Sequence, residues 1–440
     1  MKSKNICFIL LIVFLSANLY AQNAIQQTYS IDQITELAFQ NSQALKVSSK
    51  SVEIAKQKTD VAKLAYIPSV TTSFNALYLG DITVYDKDFS KLQTVNMPHF
   101  GNSFGIQAQQ IIFKGGLLKN SVKISSLQEQ ISELDFQNNK LDIKFLVIAN
   151  YLDLYKLYNQ KKVFEQNIVL AKERLKNTQK LYEQEMLTKN EVLRGELQLI
   201  NLEQSVVSIN NNISILNKQL TTIVGLPETI IIVPEENTVN NTIVNNANDG
   251  QFYKNLALEN HPTLKIAETN KSIAETNVKI NKSSYYPSLA AVGGYNFQRP
   301  ISAGTTVLDA YLNPWQVGVG LTYNIDALYS TPKKSKLANL QFDQVSELKQ
   351  LQIQNIEIDV NASFTKHLEA ISQEKVFLQG KKLADENYRI IEKKYLNQLA
   401  LMADMIDASN AKLDAELQHT NAEINILFTY YKLLKSSGTL

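Results

Sequence analysis

Few residues of this sequence have the types and spacing that chemistry requires. The four histidines stand far apart without metal-ligand spacing, and the single cysteine is Cys7. The sequence has no glycine-rich phosphate loop, no zinc-binding helix motif and no nucleophile elbow. One acidic pair has regular spacing: Asp404 and Asp407 lie three residues apart and therefore share a helix face. We expect no catalytic centre, no bound metal and no cofactor, and the protein is predicted not to be an enzyme.

The overall composition favours long regular elements. The net charge is only +2, which gives no electrostatic case for binding nucleic acid. With 15 glycines and 9 prolines in 440 residues, the sequence is poor in the residues that build turns and loops. Because 44% of the residues are apolar, the chain can bury a sizeable core.

Residues 1–21 have the features of a secretory signal peptide. Two lysines precede an apolar run over residues 6–15, and Ala21 supplies the small residue of a cleavage site. Cys7 lies inside the apolar run, so we expect a mature chain without cysteine and without disulfides. The alternative is an ordinary N-terminal core helix. The signal interpretation predicts an exported protein.

The sequence contains two copies of one plan. LAFQN at residues 37–41 recurs as LALEN at residues 256–260, and YIPS at residues 66–69 recurs as YYPS at residues 285–288. Self-similarity at a nearly constant separation indicates an internal duplication.

Each repeat is predicted to contain a helix, two strands and a long coiled-coil hairpin. The first helix is expected to run unbroken from near Ser30 to just before Pro68. The expected boundaries of the first repeat are residues 22–229, with strands at about 69–80 and 102–113 and a hairpin at about 117–224. The second repeat covers 251–440, with strands at about 288–298 and 315–326 and a hairpin at about 333–435, after an Asn-rich linker at 230–250.

Period-two alternation predicts the strands. Phe74, Ala76 and Tyr78 alternate with the polar residues Ser73 and Asn75. The same alternation occurs in the second strand of the first repeat and in the last strand of the second repeat. Such a pattern is typical of a strand with one apolar and one polar face.

Period-seven spacing predicts the long helices. Leu127, Leu134, Leu141, Ile148 and Tyr155 occupy one seam position of a coiled coil. The helix that carries them is expected to continue to about residue 185.

These patterns leave two architectures open. Four strands with one apolar face cannot lie as an open sheet in lipid, because each unpaired edge group costs several kcal/mol there. Three chains would supply twelve strands, enough to close a barrel, and their helices would form a hollow ring beneath it. The alternative is a soluble exported coiled-coil protein, a periplasmic scaffold or adaptor, in which two small hairpins pack on the helices. Periodicity alone does not choose between the two.

A set of motifs in a fixed order resembles the TolC-like outer-membrane efflux factors. The similarity lies in the two L-A-x-x-N to Y-x-P-S segments, 37–69 and 256–288, in FKGG at 113–116, in LTTIVGLP at 220–227 and in SSGTL at 436–440. It covers essentially the whole mature chain. The resemblance implies a mainly α-helical chain with a small β part, which forms a homotrimer with a 12-stranded outer-membrane β-barrel on a long periplasmic α-helical barrel.

The resemblance also implies a function. Proteins of this family are passive exit ducts of tripartite efflux or type I secretion systems, which lead from the periplasm to the exterior. The implied location is the outer membrane of a Gram-negative-type bacterium, with an extension into the periplasm. The implied partners are outer-membrane lipid, a periplasmic adaptor (membrane fusion) protein and an inner-membrane pump of the RND, ABC or MFS type.

Roles near the second hairpin turn follow from the same resemblance. Asp404 and Asp407 match the paired aspartates that ring the periplasmic entrance in the family, where six carboxylates at a narrow pore would repel anions and attract cations. The alternative is a solvated acidic pair. Tyr395 matches a tyrosine that helps to hold the entrance closed, and Glu191 falls at the position of its acidic partner. The family's arginine is absent, because Ala400 occupies the aligned position.

The tips of the two hairpins are predicted to dock the adaptor. Glu185 and Gln398 stand where the family usually has glycine. The tip residues, which could instead merely cover the turns, are Met186, Leu187, Thr188, Leu399, Ala400 and Leu401.

Four aromatic residues are predicted to form an interfacial girdle at the strand ends. They are Tyr295, Phe297, Tyr311 and Trp315, which flank the loop between the strands of the second repeat. Core packing would explain each aromatic residue singly, but their grouping around one loop favours the girdle.

Overall fold

The computed structural model describes residues 25–236 and 249–440. The predicted signal peptide, residues 1–21, and most of the Asn-rich linker lie outside the described residues. Within the described residues, the predicted fold class is confirmed: the chain is mainly helical with a small β part.

Eight α-helices occur in the described ranges. They are α1 (Ile31–Asn41), α2 (Gln43–Lys63), α3 (Leu117–Glu183), α4 (Lys189–Val224), α5 (Gly250–Asn260), α6 (Pro262–Lys282), α7 (Ala327–Leu396) and α8 (Met402–Ser436). None of these described helices combines the length and the apolar character of a membrane-spanning helix.

The same ranges contain ten β-strands. They are β1 (Ile25–Tyr29), β2 (Ser69–Tyr78), β3 (Ile82–Tyr85), β4 (Lys91–Val95), β5 (Phe100–Lys114), β6 (Ile230–Pro234), β7 (Ser288–Arg299), β8 (Ile301–Ala303), β9 (Thr306–Leu308) and β10 (Trp315–Thr322).

Each repeat begins with two helices, so the expectation of one unbroken helix was wrong. In the first repeat the break lies at Ser42, whose backbone leaves the helical region at φ −54° and ψ 123°. In the second repeat it lies at His261 (φ −62°, ψ 121°). There Pro262 supplies the physical reason, because proline disfavours helical backbone in the residue before it.

A two-stranded parallel sheet corrects the predicted linker at residues 230–250. β1 pairs in parallel with β6, so the first residues of that segment form a strand. The Asn217 side chain holds this strand, because its carboxamide accepts from the Ile232 N–H at 2.7 Å and donates to the Ile230 carbonyl at 2.9 Å. Ile232 is fully buried, and burial of its side chain stabilises the pairing.

The second long helix begins earlier than the sequence suggested. α7 starts at Ala327 instead of near residue 333, and Pro332 lies within its second turn. Pro332 is the sixth residue of α7 and lies beyond the four N–H groups that lack a helical partner, so one helical hydrogen bond is missing at this turn. The Ala327 N–H donates to the Asn324 carbonyl at 3.0 Å, so the chain enters α7 shortly after β10, which ends at Thr322 instead of near residue 326.

The chain divides into two compact units. Of the described residues, the first comprises 25–49, 136–236, 249–262 and 353–440. Its apolar core is centred on side chains from four elements, Ile34, Ile148, Tyr151, Leu220 and Ile232, all of them fully or almost fully buried. The Tyr151 hydroxyl donates to the Tyr29 carbonyl at 2.8 Å, which ties α3 to the parallel strand pair.

The second unit comprises residues 50–135 and 263–352 and contains a four-stranded antiparallel sheet. The strand order is β10-β7-β5-β2, so β10 and β2 each have one edge without a partner strand among the described residues. The loops between the paired strands contain two short hairpins, β3–β4 and β8–β9, that the sequence pattern did not indicate.

Candidate functional site

The strand register brings side chains of one kind to one face of the four-stranded sheet. Directly opposed residues share a face, and Phe104 lies opposite both Phe74 and Phe297. On the same face, Val319 lies opposite Ala291. The large apolar side chains of this face are Val70, Phe74, Tyr78, Phe100, Phe104, Ile106, Phe113, Leu289, Tyr295, Phe297, Trp315, Val317, Val319 and Leu321.

The opposite face of the sheet is mostly polar or bare, and its large apolar side chains are Leu77, Ile111 and Val292. Gln107 lies opposite Thr71 and Gly294, and Gly294 lies opposite Gln316. In the last strand Gly318 and Gly320 fall on this face, beside the apolar positions. Lys114 and Arg299, at the ends of β5 and β7, are the charged residues of the four strands. The sheet thus has one side suited to an apolar medium and one suited to water.

The four aromatic residues of the predicted girdle lie together at one end of this sheet. Tyr295 lies opposite Trp315, and the Phe297 ring stacks on the Tyr311 ring at 4.6 Å between centroids. Arg299 extends the group, because its guanidinium lies 5.7 Å from the Tyr311 centroid. All four rings are partly exposed, which is compatible with an interfacial position, and the girdle stays a prediction.

At the other functional region, both helix hairpins end in the same tight turn. The Met186 N–H donates to the Leu181 carbonyl at 2.9 Å, and the Leu399 N–H donates to the Lys394 carbonyl at 2.8 Å. This six-residue closure is the Schellman motif, which requires one residue with left-handed backbone. Glu185 (φ 60°) and Gln398 (φ 61°) occupy that position. The left-handed backbone explains why the family usually has glycine at these two positions. In this chain, non-glycine residues adopt the same conformation.

The tip residues differ in how far they project. Met186, Leu399 and Leu401 are at least half exposed. Ala400 instead packs against the buried cluster at the start of α8, and Leu187 is half-buried. The exposed tip side chains are thus available to a partner, whereas Ala400 contributes to the fold of the turn.

Two carboxylates cap the N-terminus of α8. Asp404 Oδ2 accepts from the Leu401 N–H at 3.0 Å. Glu191, at the start of α4, accepts from the Met402 N–H at 3.1 Å. Both satisfy backbone donors that have no partner within the helix, and both place negative charge at the positive end of the helix dipole. Glu191 therefore joins the two hairpins.

Asp407 lies on the exposed face of α8 together with Asp404. The opposite face of the same turns holds Met402, Met405 and Ala408, which are buried. Asp407 has no ion pair and no side-chain hydrogen bond to any described residue. The structure thus presents the two aspartates to solvent at one level of the hairpin, as a pore ring would require, and their role stays a prediction.

The Tyr395 hydroxyl does not bond to Glu191 in this chain. It lies 2.8 Å from the Thr178 hydroxyl, and both residues are buried. Glu191 instead uses its carboxylate on the Met402 N–H. The tyrosine therefore ties α7 to α3, and the carboxylate ties α4 to α8.

A buried arginine connects the four helices just behind the turns. Arg174 on α3 donates to Gln198 Oε1 on α4 at 3.2 Å and to the Tyr388 hydroxyl on α7 at 3.1 Å. Gln198 in turn donates to Asn410 Oδ1 on α8 at 3.4 Å, and the Tyr388 hydroxyl donates to Glu392 Oε1 at 3.0 Å. Burial raises the pKa of the Tyr388 phenol, so the ring stays neutral beside the cation.

Sequence reasoning missed this network. Its members look like ordinary surface residues of a charged coiled coil. One signal was present, because the regular apolar seam of α3 ends at Tyr155, and a helix that continues beyond its apolar seam needs polar contacts in its core. Within the described residues, no three His, Cys, Asp or Glu side chains come together as metal ligands.

The sequence has recognisable relatives. Residues 254–439 match the family described as "Outer membrane efflux protein". The outer membrane efflux protein BepC of Brucella suis biovar 1 (strain 1330) is 21% identical over 423 residues, which cover 92% of this chain and 84% of BepC. The second repeat therefore matches the outer membrane efflux protein family, and the resemblance predicted from the sequence is confirmed.

Solved structures share the fold over nearly the whole chain. The outer membrane protein VceC of Vibrio cholerae superposes with a TM-score of 0.75 at 13% identity, over 93% of this chain and 96% of VceC. The outer membrane channel CmeC of Campylobacter jejuni gives a TM-score of 0.72 at 15% identity, over 93% of this chain and 85% of CmeC. The chain thus has the fold of outer-membrane efflux channels.

Proposed function

We propose that this protein is the outer-membrane exit duct of a tripartite efflux or type I secretion system. It is a passive conduit from the periplasm to the exterior, and the energy for transport comes from elsewhere. The observation that carries the proposal is the four-stranded sheet, whose register sorts apolar and polar side chains onto opposite faces. The efflux-protein domain and the channel fold support the same conclusion.

The two faces of the sheet correspond to the two media of a membrane channel. The apolar face has no charged side chain between the strand ends, and large apolar side chains are favourable against lipid. The polar face, with its glutamines, asparagines and glycines, suits a water-filled interior. A soluble scaffold would have to cover the apolar face, yet Phe74, Val317 and Val319 are at least 70% exposed.

Closure of the sheet requires more than one copy. In lipid, each unpaired backbone group on the free edges of β2 and β10 would cost several kcal/mol. A ring of copies removes both edges, because β10 of one copy can pair with β2 of the next. Three copies of a four-stranded sheet give a barrel of twelve strands, and we therefore infer a homotrimer.

The hairpin end supplies the proposed periplasmic entrance. Three copies of Asp404 and Asp407 would place six carboxylates at one level, where poor screening by water favours cations over anions. Glu191 lies at the same end of the hairpins, where its carboxylate accepts from the Met402 N–H.

The exposed tips define the proposed contact with other proteins. Met186, Leu399 and Leu401 offer apolar side chains that a periplasmic adaptor protein would cover, and the adaptor would connect the duct to an inner-membrane pump of the RND, ABC or MFS type.

A matched pair of arginine variants tests the proposed orientation of the sheet. Val319→Arg places a cation on the apolar face, where it costs about 2–4 kcal/mol near the middle of the membrane. Gly320→Arg is the control on the polar face, and a side chain has room there because no atom lies within 4 Å of the position that its Cβ would take. The measurement is the amount of each variant in the outer-membrane fraction as a heat-sensitive oligomer.

The expected result is that Val319→Arg strongly reduces the inserted oligomer, whereas Gly320→Arg inserts like the unmodified protein. Equal yields of both variants would contradict the assignment of the apolar face to lipid. Recovery of the unmodified protein as a soluble periplasmic species would contradict the function itself.

A further inference from the structure

Four exposed lysines lie beside the four-stranded sheet, at the end opposite the predicted aromatic girdle. Lys119 and Lys123 lie in the first two turns of α3, which follows β5. Lys279 and Lys282 lie in the last turn of α6, which precedes β7. All four side chains are exposed, and we call these four residues the lysine cluster.

The lysine cluster lies on the apolar side of the sheet. Lys279, Lys282 and Tyr286 are three and four residues apart, and a short 3₁₀ turn joins α6 to Tyr286, so their side chains lie on one face of the chain. The Tyr286 ring meets the Phe113 ring edge-on, at 6.2 Å between centroids. Phe113 lies opposite Leu289 on the apolar face. The lysines of α6 therefore project on the side of the sheet that is proposed to meet lipid.

One acidic residue joins the lysines of the two helices into a single group. Glu275, one turn before Lys279 on α6, forms an ion pair with it at 2.7 Å. The hydrogen bond and the charge of Lys279, with a smaller contribution from Lys123 on α3, lower the pKa of the Glu275 carboxyl. Lys119, Lys123 and Lys282 form no ion pair with any residue that the structure describes. Four lysines and one glutamate thus leave an excess of positive charge, most of it unpaired within the chain.

Helix stability does not explain the lysines of α3. The start of a helix carries partial positive charge and favours acidic residues, yet the first turn of α3 contains none. Lys119 lies in that turn and adds a charge of the same sign. Lys279 and Lys282 lie at the end of a helix, where cations are favourable, so their position alone would need no further reason. The excess of positive charge at the start of α3 favours an anion from outside the chain.

We propose that the lysine cluster binds the phosphate groups of anionic phospholipids in the leaflet on the periplasmic side of the outer membrane. Phospholipid headgroups lie directly outside the hydrocarbon layer, and the cluster lies directly beyond the apolar end of the sheet. The methylene stem of a lysine can lie along apolar surface while its ammonium group reaches a phosphate. The inference rests on the proposed function, which places the sheet in a membrane, and it adds the class of lipid and the residues that bind it.

The surroundings of the cluster favour a lipid over a free anion. Phe113 and Tyr286, which lie between the sheet and the lysines of α6, are 46% and 56% exposed. A phospholipid would cover these rings with its acyl chains and neutralise the lysines with its phosphate, whereas a free phosphate ion would leave the rings exposed. Aromatic rings and lysines at one level are typical of the boundary between hydrocarbon and headgroups.

The lipids that stay bound to the purified protein test the proposal. The protein is reconstituted into vesicles of equal parts phosphatidylcholine and phosphatidylglycerol, which differ in headgroup charge, and is then transferred into mild detergent. Mass spectrometry counts the retained lipids of each class. For the unmodified protein, the retained lipid should be enriched in phosphatidylglycerol by about fivefold or more, the ratio that one lysine at an anionic surface supplies. At about 1 M sodium chloride the enrichment should disappear, because screening then acts within about 3 Å.

Three variants assign the binding to the cluster. The test variant combines Lys119→Gln, Lys123→Gln and Lys282→Gln, which keeps the ion pair between Lys279 and Glu275, and its enrichment should fall below about twofold. Arginine at the same three positions keeps the charge and should retain the enrichment.

The control variant carries the same change of charge in the last two turns of α3 and α7. It combines Lys176→Gln, Lys180→Gln and Lys394→Gln, all at exposed positions far along the chain from the sheet. It should bind phosphatidylglycerol like the unmodified protein. The salt dependence of the unmodified protein tests the proposal even if the test variant fails to assemble.

Other outcomes would overturn the proposal in distinguishable ways. Equal enrichment in the test variant and the unmodified protein, or an equal loss in the test and control variants, would mean that the lysine cluster is not the lipid site. Displacement of the lipid by inorganic phosphate, beyond the effect of sodium chloride at the same ionic strength, would mean that the cluster binds free anions. All three results leave the exit duct intact. Failure of the unmodified protein to enter vesicles of either lipid would overturn the proposed function as well.

Discussion

Replacing Tyr388 by phenylalanine would remove the hydroxyl that links the buried arginine to α7. That hydroxyl accepts from Arg174 at 3.1 Å and donates to Glu392 at 3.0 Å, while its ring packs in the cluster at the start of α8. Phenylalanine keeps the ring, so the change isolates the hydrogen bonds. Arg174 retains Gln198 as its partner on α4 but loses its bond to α7.

The size of the effect follows from burial. Arg174 is only 9% exposed, so water cannot replace the lost acceptor. Removing one partner of a hydrogen bond to a buried charged group costs about 1.5–3 kcal/mol. Glu392 is less buried and can turn toward water, so it adds little. We therefore expect Tyr388→Phe to destabilise each chain by about 2 kcal/mol.

Thermal unfolding of the detergent-solubilised protein, followed by the helical circular dichroism signal at one fixed scan rate, measures this effect. The entropy of unfolding is about 2.1 cal/mol/K per residue, so 1 kcal/mol shifts the melting temperature of this 440-residue chain by about 1 °C. The variant should therefore melt roughly 2 °C below the unmodified protein. Tyr182→Phe is the matched control, because Tyr182 is 37% exposed on α3 and its hydroxyl has no hydrogen-bond partner among the described residues. Equal melting of Tyr388→Phe and Tyr182→Phe would refute the claim that the arginine network holds the hairpins together.

Three further predictions concern pH, the turns and the entrance. Burial lowers the pKa of His367, so folding favours the neutral imidazole. The neutral ring contributes its full stability above about pH 6.5, and this stability is lost as the pH falls below that value. His367→Gln should therefore flatten the acid side of a plot of melting temperature against pH between about pH 5 and 8. Glu185→Gly and Gln398→Gly should each raise the free energy of unfolding by about 0.5–1 kcal/mol in urea titrations. Glycine relieves the cost of about 1–2 kcal/mol that left-handed backbone imposes on other residues, but it also loses more conformational entropy on folding, which offsets about 0.5–1 kcal/mol. Asp404→Asn combined with Asp407→Asn should reduce cation preference and abolish block by a trivalent cation from the periplasmic side in planar bilayers, while the amide oxygen at position 404 still caps α8.

Each of these predictions has its own control. His99→Gln changes an exposed histidine and should leave the acid side of the pH profile unaltered; a profile that is unchanged in His367→Gln would contradict the first prediction. Met186→Gly, next to the left-handed residue, should not stabilise the turn. Unchanged selectivity and unchanged block in the double asparagine variant would mean that the two aspartates are only a solvated acidic pair.

The sequence was sufficient to predict the four strands of the antiparallel sheet and the faces of three of them, because period-two alternation is a direct consequence of strand geometry. Phe74 and Val319 fall on the apolar face of the sheet, where the alternation places them. The register between the strands was not predictable, since the alternation of one strand does not state which residue of its neighbour lies opposite. The efflux-family resemblance was equally predictable, because one of its motif segments recurs in both repeats and the other motifs occur in a fixed order.

The helix breaks and the parallel strand pair were harder to predict from the sequence. Pro262 could have indicated the break at His261, but no comparable residue follows Ser42, so the first break was visible only through the duplication. The isoleucine run of β6 was hidden by the Asn-rich stretch that follows it. Its partner β1 lies about two hundred residues away, and no local pattern specifies a parallel pairing over such a separation.

The polar contacts behind the turns depend on tertiary structure. Nothing in the sequence separates Arg174 from the exposed basic residues of α3, because its position in the centre of four helices depends on how the two hairpins pack. For the same reason, the resemblance placed Glu191 near Tyr395, whereas the structure directs its carboxylate to the Met402 N–H. Motifs can therefore locate the entrance, and the three-dimensional structure is needed to assign its bonds.

The mass of the complex extracted from outer membranes in mild detergent tests the central claim most directly. One chain supplies a four-stranded sheet with two free edges, and only a closed ring removes those edges in lipid. The account predicts a protein mass three times that of the mature chain, with the strand content of the folded protein. A stable monomer with the same strand content would contradict the exit-duct function.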